Sequence, residues 1–140
     1  MCESELTDLF YGIDRGRDRI FFRREIEVTA TLPLLTKAGF QVLELDGSEI
    51  RNVEDLFRLS ATAMQYPDGF YGNEKYAPNE NAYLKYFEDV AEWIPAIGHV
   101  MLVQNGRRFW ANAPDVAGSL VEIVQAAHSA GSSVRLVFVL

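Results

Sequence analysis

Eight of the 17 aromatic residues fall between Tyr66 and Trp93, and residues 44–92 hold eleven acids against four bases. Tyrosine and tryptophan make large rigid anchors at protein interfaces, and carboxylates steer a basic partner. The stretch therefore reads as a protein-binding surface. It opens with Tyr66-Pro-Asp-Gly-Phe-Tyr-Gly-Asn73, a turn that brings Phe70 and Tyr71 to a glycine where a positive φ is allowed. Phe70, Tyr83 and Phe87 read as core, whereas Tyr71, Tyr76 and Trp93 read as core or contact. Residues for catalysis are not in evidence. There is no glycine-rich phosphate loop, no dinucleotide fingerprint and no nucleophile elbow. The two histidines, His99 and His128, have no ligand spacing, and Cys2 is the only cysteine. No catalytic residue, metal or cofactor is expected.

The remaining composition narrows the function classes. The formal net charge is -7 over 140 residues, which argues against a nucleic-acid partner. Residues 1–40 hold seven acids and six bases, and residues 93–140 two acids and three bases, so the imbalance sits in the middle third. Arg15, Arg17, Arg19, Arg23 and Arg24 are diluted by Asp14, Asp18, Glu25 and Glu27 and read as structural or solvated. The longest apolar runs are too short to cross a bilayer. The first residues lack the basic and apolar regions of a signal peptide, so a cytoplasmic protein with no membrane partner is expected.

Three runs have strand character: 41–45, 99–104 and 134–140. The last two are almost continuously apolar, as suits strands of a parallel sheet covered on both faces. Helical periodicity lies between them. Asn52 can cap a helix carrying Val53, Leu56, Phe57 and Met64, with Asp55 reaching back. A second helix spans about 79–93, with Tyr83, Leu84, Phe87, Val90 and Ala91 inward and Asn81, Lys85, Glu88 and Glu92 outward. A third spans 114–130, with Pro114 in its first turn, Gly131 after its end, and Val116, Leu120, Ile123, Val124 and Ala127 inward. Residues 66–78 and 106–115 read as loops. Right-handed crossovers then give an α/β fold, a small three-stranded parallel sheet packed with helices. Residues 1–40 read as an N-terminal extension packed on or beside a 41–140 domain, a hairpin or helix against the sheet edge, with a short helix from Leu32 closed by Gly39.

These residues resemble the barstar family, small inhibitors of secreted bacterial ribonucleases. The match lies in the strand leading to Asp46-Gly47, Ile50, the helix start after Asn52 and the run Pro67-Asp-Gly-Phe-Tyr-Gly-Asn73. It continues through Phe87-Glu-Asp-Val90, Trp93-Ile-Pro95, the Gly98 strand, and the last helix and strand. It covers about residues 41–140. The resemblance implies binding rather than catalysis, with the second helix and its preceding loop inserted into a nuclease active site. Acidic side chains there stand in for RNA phosphates. The family pattern carries two aspartates four residues apart in that helix. Anchored on Ala82, those positions are Asn81 and Lys85; anchored on Trp93, they are Leu84 and Glu88. The family's late acidic position falls on Ala126.

The reading is therefore a barstar-like immunity protein that neutralises a cognate bacterial toxin, a basic nuclease, by covering its active site. Tyr71, Gly72 and Asn73 shape the binding loop, Glu74, Tyr76 and Glu80 enlarge it, and Asn81, Lys85, Glu88, Asp89 and Glu92 present the helix face. Trp93 is a packing or contact anchor. The alternatives are an adaptor or regulatory module of the same fold without a toxin partner, and an enzyme with an unrecognised pocket.

Overall fold

Four parallel strands, β1 (Ile20–Arg23), β2 (Phe40–Asp46), β3 (Gly98–Gln104) and β4 (Val134–Val139), pair in the order β1-β4-β3-β2. The computed structural model describes residues 12–13, 16–66 and 79–140. The last three strands are those expected from the sequence. β1 corrects the expected count from three to four. Its four residues, set among arginines, carry too little alternation to mark a strand; β4 supplies the missing information. Leu136 and Leu140 N–H groups donate to the Arg19 and Arg23 carbonyls at 2.7 and 2.8 Å. The Phe22 ring stacks on Phe138 with centroids 5.0 Å apart.

Strand order decides where the helices lie. From β2 to β3 to β4 the chain steps one way across the sheet, but from β1 to β2 it jumps back the other way. Right-handed crossovers then put the β1–β2 helix on the face opposite the later helices. That helix is α1 (Glu25–Ala38), whose Val28 and Leu35 pack on Phe21, Phe40, Val100, Leu102 and Val137. It is longer than the short helix expected from Leu32. Its start is set by Glu27, which accepts the Arg24 N–H at 2.9 Å, and Pro33 lies inside it rather than in its first turn.

The other face holds the larger core. There α2 (Val53–Ala63), α3 (Glu80–Asp89) and α5 (Pro114–Ser129) cover Leu43, Leu45, Met101, Val103, Leu136 and Phe138. The capping residues behave as their chemistry requires. Asn52 accepts the Asp55 N–H at 2.8 Å, and Asp55 accepts the Arg51 N–H at 3.0 Å. Asn79 accepts the Ala82 N–H at 2.9 Å. The whole expected inner stripe of α5 is buried, and Gly131 closes it with φ 93.

The segment expected as a loop over 106–115 instead contains α4 (Gly106–Asn112). Asn105, in the left-handed region at φ 54, turns the chain directly into that helix. At Gly106 a Cβ would lie 2.9 Å from the Val139 carbonyl, so the glycine marks a close approach rather than a free turn. Phe109, buried beneath α4, fixes the helix to the core. Among the described residues no helix is long and apolar enough to cross a membrane.

Candidate protein-binding face

The segment joining α2 to α3 begins at an aromatic stack. The Tyr66 and Tyr86 rings lie face to face with centroids 3.5 Å apart and an interplanar angle of 5°. Trp93 meets both edge-on, at 6.4 and 5.9 Å, and its indole N–H donates to the Met64 carbonyl at 2.8 Å. Met64 and Tyr66 close α2, whereas Tyr86 and Trp93 sit on α3 and the 3-10 turn after it. The stack therefore fixes where the 67–78 segment leaves α2 relative to the helix that follows it. The two Trp93 contacts match the edge-to-face preference of aromatic pairs.

Deeper in, Tyr83 bolts α3 to α2. Its hydroxyl and that of Ser60 lie 2.7 Å apart, both fully buried. Burial pushes the Tyr83 phenol far above its ordinary value, offset only in part by Ser60, so it stays protonated. At the far end of α3, Ser132 donates to the Phe87 carbonyl at 2.7 Å and ties the helix to the start of β4. His99 makes a second tie. Its Nε2–H donates to the Ile94 carbonyl at 2.7 Å, so Nδ1 is the acceptor for the Ser133 hydroxyl, also at 2.7 Å. Burial lowers the His99 pKa, the bond to the Ile94 carbonyl opposes it and Arg135 adds to the lowering, so the balance favours the neutral ring. His128, near the end of α5, accepts from the Arg19 guanidinium at 3.2 Å. Both histidines thus have structural partners. Among the described residues no group of three or more His, Cys, Asp or Glu could hold a metal.

With α3 held in this way, its outer stripe is Asn81, Lys85, Glu88 and Glu92. Glu80, Asn81, Lys85 and Glu92 are exposed, while Glu88 and Asp89 are half-buried. The Lys85 ammonium lies 3.9 Å from the Glu88 carboxylate and 3.5 Å from that of Asp89. Trp93 is half-buried within the aromatic stack. Tyr71, Gly72, Asn73, Glu74 and Tyr76, with Phe70, lie outside the described residues. The inner stripe of α3 is Ala82, Tyr83, Tyr86, Phe87 and Val90. Leu84 is only half-buried and Ala91 is exposed, so the buried face is turned toward Tyr86 relative to expectation. Sequence reasoning missed Tyr66 and Tyr86 as the support of the face. The available signal was Tyr86 itself, three residues after Tyr83 and seven before Trp93, which is helical spacing.

A concavity of about 660 Å³ lies at the carboxyl ends of the strands, where Glu44, Asp46, Gln104 and Asn105 meet. Asp46 is occupied there by the Ser48 hydroxyl at 2.7 Å and the Asn105 amide at 2.9 Å, which hold its pKa below the usual carboxylate value. It is built as a brace for the turn after β2.

Comparison with curated proteins finds no match. The model of the Barstar (barnase inhibitor) family matches residues 40–140, from the first residue of β2 through β4. With that match over most of its length, the chain belongs to the family of barnase inhibitors.

Proposed function

We propose that this chain is an immunity protein that neutralises a bacterial ribonuclease toxin by laying α3 and the preceding 67–78 segment over the toxin's active site. Family membership carries the coarser part, an inhibitor-type protein that binds a ribonuclease rather than an enzyme. The observation supporting the choice of face is the outer stripe of α3. Exposed carboxylates flank it, Glu80 in the first turn of α3 and Glu92 in the 3-10 turn beyond it, and the helix is anchored by Tyr83 and the Tyr66–Tyr86–Trp93 stack. A ribonuclease cleft binds phosphates and is therefore cationic, so such a face attracts it and speeds encounter. In this reading Tyr71, Gly72 and Asn73 shape the contact loop, and Glu74 and Tyr76 extend it. The site of action is the cytoplasm. Residues 1–40 are an extension of the 41–140 domain, within which β1 completes the sheet edge and α1 covers its second face.

The test is co-purification of the chain with the protein encoded beside it, followed by an RNA-cleavage assay of that partner. The partner should cleave RNA alone and not in the complex. Glu80→Lys with Glu92→Lys should slow association roughly tenfold at low ionic strength, the difference fading near 1 M salt. A stable complex in which the partner stays fully active would refute active-site covering. It would favour an adaptor role, which already draws on the family's paired acidic positions falling on Asn81 and Lys85, or on Leu84 and Glu88, so that neither anchoring keeps both acids.

A further inference from the structure

Between residues 79 and 106 the only Lys or Arg is Lys85, and it stands in the middle of the outer stripe of α3. The helix does not need it. Asn79 caps α3, Tyr83, Tyr86 and Phe87 bury its inner face, and exposed ion pairs one turn apart add only about 0.2–0.5 kcal/mol each. The Lys85 side chain is 55% exposed, and its ammonium leans along the stripe toward Glu88 and Asp89. Two consequences follow from that placement. One ammonium set against the Glu88 and Asp89 carboxylates only partly compensates the acidity of the middle of the stripe, which is flanked by the exposed carboxylates of Glu80 before it and Glu92 after it. Any surface that covers the stripe must also cover a cation, and a surface made only of phosphate-binding cations would be repelled there.

Resting on the reading that α3 is the docking face, we infer that Lys85 sets which ribonuclease this chain accepts. The partner surface it fits has a carboxylate opposite Lys85, set between cationic ground opposite Glu80 and Glu92. Lys85 is thus a specificity-determining contact that disfavours a uniformly basic cleft, a repulsive element placed against wrong partners.

The test uses barnase, the ribonuclease that names the family, as the probe and measures association and dissociation rates for four chains: unsubstituted, Lys85→Met, Lys85→Glu and Lys37→Glu. Lys37 lies at the end of α1, on the opposite face of the sheet, and carries the same charge change as a control. Lys85→Glu should bind barnase at least about thirtyfold more tightly than the unsubstituted chain, mainly through slower dissociation, with Lys85→Met between them. Lys37→Glu should change binding less than about threefold, through association alone. A barnase carrying one cleft Arg→Glu change should reverse the preference and favour the unsubstituted chain. Equal effects at Lys85 and Lys37, or no gain from Lys85→Glu, would overturn the specificity role while leaving α3 as the docking face. Absence of binding by every chain to either barnase, together with unslowed association of the co-purified partner with the Glu80→Lys, Glu92→Lys chain, would overturn the docking reading and this inference together.

Discussion

The Ser60–Tyr83 pair offers a sharp test of how α3 is held. Both hydroxyls are fully buried, 2.7 Å apart, and link two helices through residues 23 apart in sequence. Removing one partner strands the other in an apolar core, which costs about 1–3 kcal/mol, whereas removing both leaves nothing to satisfy. Ser60→Ala leaves the Tyr83 phenol without its partner, and burial keeps that phenol protonated, so about 2 kcal/mol is expected. Tyr83→Phe leaves a serine hydroxyl that can turn back onto its own helix, so about 1 kcal/mol is expected. The double variant should lose only about 1 kcal/mol, for a coupling near 2 kcal/mol. Urea unfolding followed by circular dichroism should show midpoints shifted at constant m-value. In thermal melts each kcal/mol should appear as roughly 4 °C in a chain of this size. Additive single and double effects, with coupling under about 0.3 kcal/mol, would refute the reading of this pair as the bolt between α2 and α3.

Trp93→Phe keeps a ring in the Tyr66–Tyr86 stack but loses the donor to the Met64 carbonyl. It should cost roughly 1–3 kcal/mol in the same denaturation assay, and full stability would show that the indole hydrogen bond contributes nothing. The His99 ring is neutral in the folded chain with its pKa depressed, so its contribution is complete above about pH 6.5 and is lost as pH falls through the folded pKa. Stability measured from pH 7 to pH 5 should therefore decline, by at most about 1.4 kcal/mol per pH unit for one proton. The decline should be absent in His99→Gln, and an identical slope in that variant would assign the proton to another group.

What the sequence reveals here is what is decided locally. Asn52 and Asn79 cap the helices they precede, and α5 buries the five positions its spacing marks. β3 and β4 are almost continuously apolar because both faces are covered. What stays hidden depends on distant partners. β1 is a strand because β4 lies beside it. α4 is a helix because Phe109 reaches the core and Gly106 admits the Val139 carbonyl. The same division runs through the binding face. The outer stripe of α3 follows from periodicity, but Tyr86 turns inward because Tyr66, twenty residues earlier, is there to stack on it. That Lys85 pairs with Glu88 and Asp89 is within reach of helical spacing alone.

The place of β1 in the sheet has a consequence for how the chain is made. Ile20 pairs with Leu136, so β1 has no strand to join until β4 has been synthesised, more than a hundred residues later. Through that interval Ile20-Phe21-Phe22, a short apolar β-prone run, waits uncovered, and the second core beneath α1 cannot close. Such runs seed aggregation unless charges flank them. Arg17 and Arg19 stand on one side of this one, and Arg23 and Arg24 on the other. Arg19 and Arg24, which pair with His128 and Glu27 in the finished molecule, thus also flank the run as gatekeeper charges in the unfinished one, holding nascent chains apart until the last strand arrives.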